Sequence, residues 1–321
     1  MNPPKTWRKL GKVFDPRHFN LADDCVEFAQ SPQTLIFDNF LRVYFSTRSI
    51  DKTNGKYLSQ IAYVDFSENF AEIIGVSDHK VIELGKLGCF DEHGIFPINI
   101  LKHKEAIFAY TCGWSRRVSV SVETGIGLAM SCDAGRTFQR LGDGPVLSAS
   151  LREPCLVGDG FVKVYNDIFH MWYIFGTGWK NFSSTAAPDR TYKIGFASSK
   201  DGVHWEKLGG QIITDRLGPD ESQALPTVIM IGDQYHMFFC YRQSFDFRTN
   251  SSRGYRIGHA ASVDAVNWVR DDDTFAIEPS LGEWDSDMLC YPHVFEWKEN
   301  IYMLYNGNEF GRHGFGLAVL Q

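Results

Sequence analysis

The segment Ile126-Gly127-Leu128-Ala129-Met130-Ser131-Cys132-Asp133-Ala134-Gly135 recurs along this chain. It returns as Ile194-Gly195-Phe196-Ala197-Ser198-Ser199-Lys200-Asp201-Gly202 and as Ile257-Gly258-His259-Ala260-Ala261-Ser262-Val263-Asp264-Ala265. Weaker echoes are Ile61-Ala62-Tyr63-Val64-Asp65 and Phe315-Gly316-Leu317-Ala318-Val319. The copies stand roughly 60–70 residues apart, a period that means stacked supersecondary units. Each unit reads as a small sheet, so the expected fold is an all-β, five-bladed β-propeller.

One unit shows the pattern. Val162-Lys163-Val164-Tyr165 and His170-Met171-Trp172-Tyr173-Ile174-Phe175 are apolar or alternating, with Asn166-Asp167 as a turn between them. Tyr192–Ser198 is the third strand, Asp201-Gly202 the next turn and Val203–Leu208 the outer strand. The glycine after each isoleucine is expected to let strands or blades approach closely. Trp205-Glu206-Lys207-Leu208-Gly209 in that outer strand matches Trp7-Arg8-Lys9-Leu10-Gly11 at the N-terminus. The C-terminus stops after Phe315–Leu320, where an outer strand is due. The N-terminal segment is therefore expected to close the last blade, giving one domain over residues 1–321.

Of the 321 residues 44% are hydrophobic, enough for one large closed core. The net charge of −7 is spread without long runs, which argues against a nucleic-acid or anionic-membrane partner. The start carries no apolar leader core, and no apolar run reaches the roughly 18 residues of a membrane span. The seven cysteines form no C-x-x-C pair and read as reduced residues of a cytoplasmic protein, without a zinc site.

Each repeat carries a polar cluster shortly before a proline that opens an apolar strand. These are Asp23–Pro32, with Glu27 and Gln30; Phe90–Pro97, with Asp91, Glu92 and His93; Arg152-Glu153-Pro154; Asp220–Pro226, with Glu221; and Trp284–Pro292, with Asp287 and Tyr291. In a propeller this strand lines the axis, so each blade is expected to send a carboxylate toward a shared funnel. Converging carboxylates raise one another's pKa, as glycoside cleavage requires of its proton donor. Acids at strand entries also serve as caps and turn residues, and any one alone reads as structural. Repetition is what points to chemistry. Near the ends of the second strands lie Arg48, Trp114, Trp179, Arg242 and Asn306, types that stack on sugar rings and bind their hydroxyls.

With these features the chain resembles the five-bladed propeller glycosidases, the superfamily of glycoside hydrolase families 32, 43, 62, 68 and 130. It is also similar to propeller proteins encoded in bacterial capsule and O-antigen loci, through Arg42–Arg48, Phe90–Pro97, Trp284–Met288 and Tyr305–Gly311. The resemblance implies a general acid at Glu153, a tuning carboxylate at Asp91 and a base or nucleophile in the first blade. There the family's aspartate before proline is replaced by Ser31; Glu27 or Asp24 is expected to substitute from nearby, and Glu27, Glu221 or Asp287 to complete the catalytic pair. The implied substrate is a surface-polysaccharide sugar or a sugar nucleotide. Gln30, Arg48, Glu92, His93, Trp114, Arg152, Trp179, Glu221, Arg242, Asp287, Tyr291 and Asn306 are the expected binding residues. No cofactor is required; such propellers can hold a central calcium or other ion, but no ligand set here demands one. The alternatives are a catalytically silent carbohydrate-binding propeller and a phosphorylase with arginines holding phosphate. A sialidase is a further alternative, since Ser131-Cys132-Asp133-Ala134-Gly135-Arg136-Thr137-Phe138 resembles the Asp-box turn of those six-bladed enzymes.

Overall fold

The computed structural model describes residues 5–25, 27–182 and 187–321. Residues 1–4, part of the segment read for a leader, lie outside them. The fold is nearly all β, in antiparallel units of four strands. The N-terminal strand is β1 (Trp7–Phe14). The first unit follows as β2 (Glu27–Ile36), β3 (Phe40–Ile50), β4 (Tyr57–Ser67) and β5 (Ile73–Val76). The second is β6 (Gly94–His103), β7 (Ala106–Arg116), β8 (Val122–Ser131) and β9 (Gln139–Arg140). One parallel pair, Ser59 with Gly94, joins these two units into a continuous sheet. The third is β10 (Cys155–Tyr165), β11 (Ile168–Lys180), β12 (Asp189–Ser199) and β13 (Glu206–Lys207). The fourth is β14 (Glu221–Ile231), β15 (Gln234–Gln243), β16 (Arg256–Ser262) and β17 (Val269–Arg270). The last sheet is β18 (Cys290–Trp297), β19 (Asn300–Asn306), β20 (Phe315–Leu320) and then β1, in the order β18-β19-β20-β1. Trp7 pairs with Leu320 and Phe14 with Phe315, so the two chain ends share a ladder.

The first strands of successive units are tied to one another. Asn99 donates its amide to Gln33 Oε1 at 3.2 Å and accepts from Val162 N at 3.0 Å. Leu225 N donates to Asp159 Oδ2 at 3.3 Å, Val294 N to Thr227 Oγ1 at 3.3 Å, and Thr34 N to His293 Nε2 at 3.2 Å. These bonds link β2, β6, β10, β14, β18 and return to β2. The apolar core lies between the sheets in clusters such as the one built on Trp172, Phe239, Trp268 and Tyr291. Among the described residues no helix is long and apolar enough to cross a membrane.

Two sequence features resolve locally. The Ser-x-Asp turns are alike: Ser199 Oγ accepts from Gly202 N, and Asp201 Oδ1 accepts from Val203 N and His204 N at 2.9 and 2.8 Å. Ser262 and Asp264 repeat this, and Ser131 and Asp133 make a similar turn, so the Asp-box resemblance marks a hairpin device. The repeated glycine makes room for an aromatic ring rather than for a neighbouring strand alone. A Cβ on Gly127 would meet Phe90 at 2.6 Å, on Gly258 would meet Phe239 at 2.8 Å, and on Gly316 would meet Trp284 at 2.5 Å.

Candidate functional site

Each first strand is interrupted by a register shift: between Gln30 and Gln33, Ile95 and Ile98, Gly158 and Phe161, Ala224 and Thr227, and Cys290 and His293. The residues inside these bulges include Ser31, Phe96, Asp159, Leu225 and Tyr291. Ser31, Asp159, Leu225 and Tyr291 have φ of 53°, 51°, 50° and 56°, a left-handed conformation that costs a non-glycine residue about 1 kcal/mol or more. A bulge re-aims a side chain. Phe96, Asp159, Leu225 and Tyr291 all line one cavity of about 460 Å³, within the range of small-ligand pockets.

The cavity is aromatic and basic. Its wall includes Phe28, Tyr57, Trp114, Tyr192, Phe247, Tyr255 and Phe310, together with Arg48, Arg190, Arg242 and Arg248. Asp159 is the one carboxylate in that lining among the described residues. It is buried, and burial pushes its carboxyl up to about 7, against the Leu225 N–H and the charge of Arg190, which pull it down. A carboxyl in that range can hold or release a proton near neutrality.

The arginines are held by rings and neutral acceptors. Arg242 is 1% exposed. It donates to Tyr192 Oη and Gln243 O, both at 2.7 Å, and lies 3.5 Å from the centre of the Phe247 ring. Its Nε has no hydrogen-bond partner. Arg248 lies 4.2 Å from the same ring and 3.8 Å from Asp189 Oδ1. Burial, then the charges of Arg190 and Arg242, pull its guanidinium below its ordinary value. Arg48 donates to Ser59 Oγ and lies over Phe96 and Phe28. Burial brings it down to about 10. Trp114 is fixed by its Nε1–H to Ser59 Oγ at 2.8 Å.

Of the residues expected from sequence, the cavity gathers Gln30, Arg48, Trp114, Arg242 and Tyr291. The carboxylates expected on the axis are placed elsewhere. Glu153 is 1% exposed and accepts from Tyr173 Oη at 2.7 Å, with Lys207 Nζ at 2.5 Å. Asp91 pairs with Arg140 and Glu221 with Arg270 at 2.6 Å, while Asp285 pairs with Lys9, also at 2.6 Å. The four bases sit on β9, β13, β17 and β1. The repeated acid thus binds the entry of a unit's first strand to its outermost strand, which corrects the expectation of a carboxylate from every unit in the funnel. A buried acid without its own basic partner would carry a large desolvation cost, so the pairing satisfies it where it lies.

Glu27 is bound by Arg312 at 3.0 Å, and Glu92 accepts from Gly88 N at 2.7 Å. His93 stacks behind Trp114, with ring centres 5.8 Å apart. Arg152 and Asp287 are exposed, and Trp179 lies beside Arg190 outside the lining. Asn306 is buried and caps backbone groups of Ala29, Ser31 and Gly314. Sequence reasoning missed Asp159, Arg190, Arg248, Tyr192 and Tyr255. The signal for Asp159 was available: Val157-Gly158-Asp159-Gly160-Phe161 opens β10 as Ser31-Pro32 lies in β2, but glycine replaces the marker proline. Pro154 marks Glu153 instead.

No protein-family model matches the chain. Two proteins of Mycobacterium tuberculosis, uncharacterized protein MT1551 of strain CDC 1551 and uncharacterized protein Rv1502 of strain H37Rv, are each 32% identical to it. Both alignments cover 98% of this chain and 99% of the relative. Among solved structures, a glycoside hydrolase superposes with a TM-score of 0.73 at 18% identity, over 98% of this chain and 92% of that one. A thermostable family-43 glycoside hydrolase gives 0.63 at 12% identity, over 94% and 91%. A structure from the GH130 family of mannoside phosphorylases, which contains glycoside hydrolases that target beta-1,2 mannosidic linkages in Candida mannan, gives 0.68 at 15%, over 99% and 94%. The chain belongs to the family of these two mycobacterial proteins, and its fold is that of the propeller glycoside hydrolases.

Proposed function

We propose that the protein is a carbohydrate-active enzyme whose sugar site is the cavity at the strand bulges, with Asp159 as its proton donor. The observation that carries this is a buried carboxyl near neutral pKa on a wall of aromatic rings. Trp114, Tyr291 and their neighbours supply faces for a sugar ring, Gln30 an amide for its hydroxyls, and Asp159 a proton for a leaving glycosidic oxygen. Glycoside hydrolysis by the usual scheme needs a second carboxylate about 5–9.5 Å away. With one carboxylate in the lining, the attacking group comes from outside the protein, as water or another acceptor. The five four-stranded units are read as blades around this cavity, in one domain that β1 closes. The likeness to the propeller glycoside hydrolases supports a reaction at a sugar, and a surface-polysaccharide sugar is the proposed substrate.

Turnover of a panel of aryl glycosides and surface glycans tests the assignment. Asp159→Asn should cut kcat by about 100-fold or more, and Glu153→Gln should retain activity in whatever fraction remains folded. The opposite order would return the acid role to Glu153. The single carboxylate also favours a second reading, a silent sugar-binding propeller. Saturable sugar binding with no turnover across the panel would select it.

A further inference from the structure

The cavity holds four arginines against one aspartate, in a chain whose net charge is −7. Arg48 and Arg242 have no carboxylate partner among the described residues, and the Asp189 contact of Arg248 is long at 3.8 Å. Buried guanidiniums are ordinarily paired, because an uncompensated buried charge is costly. Elsewhere in this molecule that rule is followed: Arg42 is paired with Asp65 at 2.7 Å, and Arg270 with both Glu221 and Asp272. Arg242 is the buried exception, beside half-buried Arg48 and the more exposed Arg248, and the rings around it do not replace an anion. Phe247 lies against both Arg242 and Arg248, and Tyr192 Oη accepts from Arg242, which fixes its planar group while leaving Nε–H unpartnered. Such a preset fork suits the oxygens of a phosphate or carboxylate.

Resting on the sugar site proposed above, we infer that Arg242, Arg248 and Arg48 form an oxyanion subsite, so that the sugar taken here carries a phosphate or a carboxylate. The anion supplies the charge these side chains lack within the chain. The aromatic wall would take the sugar ring to which it is attached. Free phosphate has the same chemistry and is the other source of such an anion.

The test is titration calorimetry on the full chain at low and at physiological salt. The probes are glucose, galactose and mannose, each beside its 1-phosphate and its uronic acid, with UDP-glucose and inorganic phosphate alone. The expected result is that at least one acidic or phosphorylated sugar binds about 10-fold or more tightly than its neutral parent, and that salt weakens the difference. Arg248→Gln, on an exposed side chain, and Arg48→Gln should each bring the ratio of acidic-sugar to neutral-sugar affinity back toward one, whatever either does to the neutral parent. Arg242→Gln should do the same if it folds; the other two variants decide the matter if it does not. Inorganic phosphate binding as tightly as any sugar phosphate would support the subsite with free phosphate as its source. Neutral sugars binding as well as their acidic forms would overturn the subsite and leave the sugar site standing. Anions binding through these arginines with no added gain from any sugar would uphold the subsite and overturn the sugar site. No binding by any probe would overturn both.

Discussion

Asp159 concentrates the chemistry because its position offers so little else. The bulge turns it inward, Leu225 N satisfies one oxygen, and the charge that acts on it is that of Arg190, which makes no ion pair with it. Its folded pKa stands above the unfolded value of an aspartate, so the native state holds the proton more tightly than the unfolded chain. The group adds no penalty at pH values below about 4, and its penalty grows until the pH passes about 7. Asp159→Asn should therefore leave stability unchanged near pH 4 and raise it above pH 7, by up to about 4 kcal/mol. Urea unfolding at the two pH values measures this. An asparagine variant less stable than the parent at high pH would show that the carboxylate is held charged and satisfied.

Among the elements, the recurring ion pairs explain why the units are alike. Glu221 is fully buried, and besides Arg270 it accepts from Arg216 N and Leu217 N at 2.8 Å. Arg270→Met leaves that carboxylate buried without its base and should cost about 3–5 kcal/mol of unfolding free energy. Adding Glu221→Gln should recover much of the loss, and chemical denaturation of the single and double variants checks the coupling. Equal stability of Arg270→Met and the parent would contradict it. This is also where sequence reading reached its limit. The strand period, the Asp-Gly turns and the match of Trp7–Gly11 to Trp205–Gly209 are local patterns, and local patterns survive in a one-dimensional record. The partner of each acid stands on the far strand of its unit, so spacing could locate Asp91, Glu153 and Glu221 but not their direction. Asp159 escaped because its marker was the proline that the third unit lacks, although the apolar run after it was in plain view. Arg48, Arg242, Trp114, Gln30 and Tyr291 were legible because they flank strand ends or bulges that the repeat had already located.

Across the whole molecule, the pairing of β1 with β20 makes Trp7–Phe14 part of the last sheet. Trp7 and Phe14 are buried in different clusters, so the strand contributes packing as well as ladder bonds. Deleting residues 5–14 should lower Tm sharply or prevent folding, since it exposes β20 and empties both clusters. Scanning calorimetry that finds the deleted chain as stable as the parent would refute closure by β1. The most direct measurement on the molecule is a crystal structure with a sugar from the glycan panel bound. The expected result is a ring seated against Trp114 or Tyr291 with its glycosidic oxygen within about 3.2 Å of Asp159. A sugar bound away from this cavity, with Glu153 released from Lys207 to meet it, would contradict the site.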